Sequence, residues 1–364
     1  MPLKKGLWLN GKEYSLEEFQ DGIPAADDQF ERDTLTFCHQ WLNGQNTFTI
    51  HTSGSTGKPK PINISRKQME LSARLTGEAL QLAPDYNALV CLNTAYIAGQ
   101  MMLVRCFTLG LNPFVVTPSA TPLTQLPKGI SIDFTAFVPY QMQQMLGDSD
   151  LSNRLDKLKG IIIGGAPIGL SLLQRLENMQ APVYATYGMT ETVSHIALRR
   201  LNGTDKSPYF KTQPGVTIST DERGCLTIQS ELTNGQLLIT NDLVKLVSSD
   251  QFEWLGRIDN VINSGGVKIQ VEQVELKAGK ALLTMNVPNR FLIIGVPDEQ
   301  LGEKVVMVIE GTPLENEQQS KLESKLEEVL SKYEQPKVIH YLPEFVETET
   351  GKVKRQETLA AVLA

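Results

Sequence analysis

From about residue 47 the chain alternates short apolar runs with helix-length amphipathic stretches, and that alternation restricts the fold more than any other feature. The runs TFTIHT, ALVCLN, NPFVVT, DFTAFVP, GIIIGG and PVYATYG are separated by segments such as 65-SRKQMELSARLTGEALQ-81 and 168-IGLSLLQRLENM-179. Strands divided by helices of this length form βαβ units and a parallel sheet. Several of the runs pass directly into Gly, Ser or Thr loops, which is where open α/β sheets hold their ligands. Residues 196–256 switch to short, turn-punctuated strands (CLTIQS, GQLLIT, FEWLG), which predicts antiparallel β structure. At the start, LWLN-GKEY reads as a hairpin on an Asn10-Gly11 turn, appended at an edge. A boundary falls in the Gly-, Asn- and Asp-rich stretch 256-GRIDNVINSGG-266. Beyond it come a short helix around Val271–Leu276, strands FLIIGV and KVVMVI, and a charged helix, 315-ENEQQSKLESKLEEVLSKY-333. In that helix Leu322, Leu326 and Leu330 recur every four residues, so its charges form a solvated face. The expected class is α/β: a large N-terminal domain, residues 1–258, with a parallel α/β sheet and an antiparallel β subdomain, then a small α+β C-terminal domain, residues 259–364.

Composition removes several function classes. The 364 residues are 41% hydrophobic and 21% charged, as in ordinary globular proteins, with a net charge of -7. An acidic chain lacks the basic footprint that nucleic acid or an anionic membrane surface demands. The four cysteines, Cys38, Cys91, Cys106 and Cys225, form no C-x-x-C pair, and the four histidines are dispersed. Neither a disulfide framework nor a zinc site is expected. Without an apolar leader or any run long enough to span a bilayer, the expected setting is reduced and cytoplasmic. Self-association is compatible with the sequence.

The stretch 51-HTSGSTGKPK-60 poses the sharpest local question. A Walker-type loop needs G-x-x-x-x-G-K-[ST]. Here Gly54 and Gly57 stand too close together, and Pro59 follows Lys58 where a hydroxyl is required. Taken by itself the segment is either a polar surface turn or a phosphate cradle of another kind.

Four further segments line up with it: 187-YGMTET-192, 239-ITNDLV-244, 256-GRIDNVINSGGVKIQVEQVE-275 and 350-TGKVKR-355. Together, in this order, they resemble the ANL superfamily of adenylate-forming enzymes, over about Thr52 to Arg355. The resemblance implies ATP, Mg2+ and coenzyme A as ligands, a small-molecule carboxylic acid as partner, and a C-terminal domain that moves between two half-reactions. It implies that Thr52, Ser53, Gly54, Ser55, Thr56, Gly57 and Lys58 cradle the β and γ phosphates. The residues agree: Gly54 and Gly57 let backbone N–H groups approach phosphate oxygens, and the hydroxyls add donors. It further implies that Gly164, Gly165 and Ala166 line the adenine, with Tyr187 and Gly188 at its face. By the same resemblance Thr190 would meet the α-phosphate, Glu191 would hold the magnesium as a hard oxygen ligand, and Asp242 and Arg257 would take the ribose hydroxyls. The segment around Asp242 departs from the usual T-G-D, with Asn241 at the Gly position. Lys352 is implied as the cation bridging the attacking carboxylate and the α-phosphate. Such a cation is needed because one anion must approach another while charge accumulates. Asp259 matches the hinge, and Ser264, Gly265 and Gly266 the backbone that faces coenzyme A; an interdomain linker would look alike.

The acid is less legible. The segment 94-TAYIAGQMMLVRCFTLG-110 stands where the family has an acyl-pocket helix, which makes Tyr96 a pocket wall. Arg105 is conspicuous in that apolar helix because a buried guanidinium must be paired. It either faces the acid, snorkels, or holds a structural carboxylate. His195, just past YGMTETVS, is the other candidate. The short lead-in before the phosphate loop, with YGMTETVSHIALR and TAYIAG, most resembles the short bacterial o-succinylbenzoate:CoA ligases of menaquinone biosynthesis. The alternatives are another aryl- or acyl-CoA ligase, a non-catalytic nucleotide- or CoA-binding regulator, and, further off, a small-molecule kinase.

Overall fold

A computed structural model describes residues 6–51, 61–285, 287, 290–347 and 353–363. Thr52–Lys58 and Lys352 lie outside the described residues. Contacts divide the chain into two compact units, one of Met1–Ile218, Ile228–Leu238 and Val247–Phe252, the other of Ser219–Thr227, Ile239–Leu246 and Glu253–Ala364.

The first unit begins with β1 (Gly6–Leu9), β2 (Lys12–Ser15), α1 (Gln29–Leu42), β3 (Thr47–His51), β4 (Pro61–Ser65) and α2 (Arg66–Leu80). It continues with β5 (Asn87–Val90), α3 (Ile97–Leu109), β6 (Asn112–Val115), β7 (Phe134–Phe137), α4 (Pro139–Leu146) and α5 (Ser149–Leu155). β8 (Gly160–Ile163), α6 (Leu170–Glu177), β9 (Val183–Gly188), β10 (His195–Arg200) and β11 (Phe210–Thr212) complete it. Strands β6, β5, β7, β8 and β9 are neighbours in that order and all pair in parallel. β10 turns antiparallel on β9, and β11 antiparallel on β10, as the change of pattern after residue 196 predicts. The opening hairpin sits at the sheet edge, with β1 pairing β6. Its turn residues Asn10 (φ 46°) and Gly11 (φ 94°) both take positive φ, the geometry of a two-residue hairpin.

One strand expectation fails. TFTIHT belongs to β3, which pairs antiparallel with β4 in a separate two-stranded sheet rather than joining the parallel one. The reason lies in its pattern. Phe48 and Ile50 are buried while Thr47 and Thr49 are exposed, so β3 covers one face only. β6, β7 and β8 are buried at every position, as strands sandwiched between helices must be. Under the sheet, α2 and α3 pack through Met69, Ala73, Met101, Met102 and Val104 into one core with Phe37, Phe48, Phe134 and Val193. α2 starts at a capping box in which Ser65 and Gln68 exchange side-chain and backbone hydrogen bonds.

The second unit holds β13 (Cys225–Gln229) and β14 (Leu238–Leu246) in large part, with β12 (Thr217–Thr220) and β15 (Gln251–Arg257) entering it from the first. It goes on through β16 (Ile262–Ser264), β17 (Val267–Ile269), α7 (Val271–Thr284), β18 (Phe291–Asp298) and β19 (Gly302–Glu310). α8 (Asn316–Val329), β20 (Val338–Leu342) and α9 (Arg355–Leu363) end it. β18 and β19 form a long antiparallel pair, and the other edge of β19 meets β16 at its start and β20, in parallel, along its later half. The expected charged helix is α8, with Leu322 and Leu326 buried against α7 and β19. α7 runs well beyond the predicted Val271–Leu276 because Ala278, Ala281 and Leu282 continue its buried stripe.

Candidate functional site

In the first unit the carboxyl ends of parallel strands share one edge of the sheet, which brings Tyr96, Gly164–Ala166 and Tyr187–Glu191 to the same side. Tyr96 is the N-cap residue of α3, half-buried, with no side-chain cap bond. Gly164 follows β8 and donates its N–H to the Phe137 carbonyl at 3.1 Å. A Cβ there would stand 2.2 Å from Thr186 Oγ1, so the crossing over β9 requires glycine. Tyr187 is 9% exposed and sits edge-on to Phe252 at 5.1 Å, with Phe210 at 5.8 Å. Much of its surface therefore serves aromatic packing.

Gly188 closes β9 where β10 returns, and a Cβ would lie 2.3 Å from the Ser194 carbonyl oxygen and 2.5 Å from His195 Cα. Between them is a tight turn. Thr190–Thr192 form one 3-10 turn, in which the Thr192 hydroxyl accepts from Met189 N–H at 2.9 Å and reaches the Ser194 carbonyl at 2.7 Å. Val193 then takes φ 68° and ψ -52°, and Ser194 N–H donates to the Thr192 carbonyl at 2.7 Å. This is the strained form of the γ-turn, on a β-branched residue, at a cost of about 1–3 kcal/mol. The Thr190 hydroxyl and the exposed Glu191 carboxylate have no hydrogen-bond partner among the described residues.

Behind the turn lies a buried polar cluster. Arg105, on α3, is 2% exposed. Its Nη2 donates to Ser194 Oγ at 2.7 Å, its Nε to Thr76 Oγ1 at 3.3 Å, and its Nη1 approaches Met102 Sδ at 3.7 Å. Thr76 also contacts His195 Nε2 at 3.2 Å and donates to the Ser72 carbonyl at 2.9 Å. The Ser72 hydroxyl, fully buried, has no partner among the described residues. Nor does Arg105 meet a carboxylate among them. Burial lowers the Arg105 pKa to about 10, so it remains charged at neutral pH. Burial, and then the Arg105 charge, hold His195 well below its ordinary range, so the imidazole is neutral. Both sequence candidates thus share one cluster, but only Arg105 is a cation. Ser194, Thr76 and Ser72 were not singled out from the sequence. The available signal was Ser72 and Thr76, four residues apart, interrupting the apolar stripe of α2.

In the second unit, Asp242 on β14 is buried and accepts from Trp254 Nε1 at 3.2 Å. Arg257 Nη1 lies 3.9 Å from Asp242, and its Nη2 donates to Asp259 at 2.7 Å. Asn241, the departure from T-G-D, donates to both Asp259 oxygens at 3.2 and 3.3 Å. Asp242, Arg257 and Asp259 thus form one cluster, to which Trp254 is an addition that motif reading missed and to which Asn241, noted there only as a departure, contributes its amide. Gly265 (φ 60°) and Gly266 (φ 81°) make the two-residue turn between β16 and β17, where positive φ at both positions favours glycine. Ser264 is buried at the foot of that hairpin. No helix among the described residues is long and apolar enough to cross a membrane, and no group of three or more His, Cys, Asp or Glu side chains among them is arranged to hold a metal.

A profile described as AMP-binding enzyme matches residues 15–231. The chain belongs to that family. It is thereby a member of the ANL superfamily, among AMP-forming acid–CoA ligases. An acyl-CoA synthetase (AMP-forming)/AMP-acid ligase II-like protein from Dyadobacter fermentans is 42% identical, covering 93% of this chain and 96% of its own, with a TM-score of 0.62. The 2-succinylbenzoate–CoA ligase of Lactococcus lactis is 25% identical over 325 residues, covering 85% of this chain and 69% of that protein. The o-succinylbenzoate coenzyme A synthetase of Bacillus subtilis, solved with ATP and magnesium ion, shares the fold at a TM-score of 0.70 and 21% identity, covering 85% of this chain and 69% of that one.

Proposed function

We propose that this protein activates o-succinylbenzoate: it adenylates the acid with MgATP, releasing pyrophosphate, and passes the acyl group to coenzyme A, releasing AMP. The observation that carries the choice of acid is Arg105, a cation buried beside the Thr190–Glu191 turn with no carboxylate partner among the described residues. o-Succinylbenzoate has two carboxylates, one activated and one that stays ionised. A buried anion needs a cation or several donors, and Arg105 supplies the first while the Ser72 hydroxyl, without a partner among the described residues, supplies a donor; His195, neutral and held to Thr76, is assigned to the same pocket. Tyr96 is assigned to the pocket wall.

The nucleotide reading rests on the same edge of the sheet. Gly164, Gly165, Ala166, Tyr187 and Gly188 are assigned to the adenine, and Thr52–Lys58, outside the described residues, to the β and γ phosphates. Thr190 would donate to the α-phosphate. Glu191 fits a magnesium ion held mainly by phosphates and water: it is a single exposed carboxylate with no protein partner among the described residues. Bound there, the ion would neutralise developing phosphate charge. Asp242 and Arg257 are assigned to the ribose hydroxyls. Lys352, also outside the described residues, is assigned to the bridging cation, Asp259 to the hinge of a mobile domain of residues 259–364, and Ser264, Gly265 and Gly266 to the coenzyme A side.

The test is AMP release over a panel of carboxylic acids with coenzyme A. o-Succinylbenzoate is expected to lead the panel, and failure to use it sinks the choice of acid. Absence of ATP–pyrophosphate exchange with every acid sinks the ligase reading in favour of a regulator. Lys352→Ala separates the half-reactions: adenylation should nearly vanish while thioester formation from supplied acyl-adenylate persists. Equal loss in both would show that one conformation serves both steps.

A further inference from the structure

Thr190 and Glu191 are assigned to phosphate and metal, yet no protein group among the described residues holds either side chain. Their direction is therefore set through the backbone of the turn that carries them. That turn is strained at Val193, a β-branched residue at φ 68°, and does not hold its shape by local preference. Its internal ties are the Thr192 hydroxyl, bonded to Met189 and Ser194, and the Ser194 N–H on the Thr192 carbonyl. From outside, Val193 is packed into the α2–α3 core, and the one side-chain hydrogen bond to the turn among the described residues is charge-assisted, from Arg105 Nη2 to Ser194 Oγ at 2.7 Å. Arg105 is itself anchored to Thr76 on α2, so the chain of contacts runs from the packed α2–α3 pair into the turn. On the other side the bare Cα of Gly188 lets the Ser194 backbone approach β9.

We propose that Ser194 is a positioning residue: through its hydroxyl, Arg105 fixes the strained 190–194 turn so that Thr190 and Glu191 are presented, without rearrangement, to a phosphate-bound divalent cation. The inference rests on the ligase reading but goes beyond it, because it assigns a general role to a group that touches neither nucleotide nor acid. It also separates two demands on the one guanidinium. Nη2 serves the turn, and Nη1 meets only the weak acceptor Met102 Sδ at 3.7 Å, which an incoming carboxylate would displace.

The experiment compares wild type, Ser194→Ala and Ser194→Thr. Mn2+ is titrated into protein with ATP and followed by its electron paramagnetic resonance signal, a readout independent of turnover. Ser194→Ala is expected to weaken Mn2+ binding on the order of tenfold, the usual effect of losing one charge-assisted bond. Pyrophosphate exchange should fall by a similar factor for every acid alike, and thioester formation from supplied acyl-adenylate should be unchanged. Ser194→Thr, which keeps the hydroxyl, should restore binding and exchange. Thermal melts establish that the variants fold; if Ser194→Ala does not, Arg105→Lys is read in its place, since an ammonium cannot span Thr76 and Ser194 as the fork does. Wild-type metal binding in Ser194→Ala overturns the proposal, as does equal loss in the Ala and Thr variants or a loss confined to dicarboxylates. A wild type that binds no Mn2+ with ATP defeats the ligase reading itself, which is a separate result.

Discussion

Replacing Arg105 by methionine should cost function while costing little or no stability. The guanidinium is 2% exposed, and burial brings its pKa down to about 10. That lowered proton affinity corresponds to about 3 kcal/mol of desolvation that its hydroxyl partners do not recover. Methionine removes the charge and fills much of the same space. Against this gain, Thr76 and Ser194 each lose a donor, worth about 1 kcal/mol apiece. The sum is a protein of unchanged stability or one about 1 kcal/mol more stable, in line with buried ions replaced by apolar groups elsewhere. The sign has a pH signature. Arg105 is a base whose folded pKa is lowered, so its penalty is fully present below pH 10 and fades as the pH rises through about 10, where wild type should gain on the variant. Urea midpoints at pH 7 measure the first effect, and midpoints carried to about pH 11, above the folded pKa, measure the second. Activity should move the other way. Use of o-succinylbenzoate should fall by roughly 30-fold or more relative to the same keto acid lacking the ring carboxylate, the consequence of leaving a buried anion unpaired. Adenylation of both acids should also fall through the turn. A variant destabilised by more than about 2 kcal/mol would show that the charge is well solvated by its partners and serves the fold, refuting this account. Equal use of the two acids by wild type and variant would place the ring carboxylate elsewhere.

Gly188→Ala forces a Cβ to within 2.3 Å of the Ser194 carbonyl, a backbone atom that cannot rotate away. A loss of about 1–3 kcal/mol in urea denaturation is expected, together with reduced pyrophosphate exchange; an unchanged midpoint would mean that β9 and β10 part freely. His195→Gln tests the buried neutral imidazole. Its folded pKa lies well below 6.5, so wild type should lose stability as the pH falls from about 6.5 toward that folded value, and the variant should show a flatter midpoint–pH curve between pH 7 and 5. Parallel curves would place a charged His195 in the folded protein.

The parallel sheet was legible because strands buried on both faces are uniformly apolar, and the runs ALVCLN, DFTAFVP and GIIIGG carry that mark. TFTIHT misleads because its alternation of Thr with Phe and Ile belongs to a one-faced hairpin, a distinction of period that six residues barely express. Motif reading singles out the residues assigned to the nucleotide, since their types are dictated by the ligand. It missed those that hold them. Ser194, Thr76 and Trp254 earn their places through contacts between segments distant in sequence, and a serine, a threonine or a tryptophan has many other reasons to exist. Glycines were ambiguous in the same way: Gly265 and Gly266 satisfy a hairpin turn whether or not a ligand approaches, while at Gly188 and Gly164 the close neighbour is the protein itself.

Arg105 shows why the two kinds of residue cannot be cleanly divided. An arginine in an apolar helix is expensive, and a fold seeking stability alone would replace it. Its partners here are neutral: two hydroxyls and a thioether, which orient a guanidinium without cancelling its charge. Pairing it with a buried carboxylate would have lowered that cost, but it would also have neutralised the field at the turn and, on the proposed reading, filled the place of an incoming anion. The neutral imidazole of His195 follows from the same logic, because a second cation next to Arg105 would raise the cost without adding a directed donor toward Thr76. Hydroxyl partners keep the guanidinium aimed, and the lack of a counter-charge among the described residues keeps it available. On this argument the instability carried at Arg105 is what allows one side chain both to brace the strained turn at Val193 and to attract an anionic group of the acid.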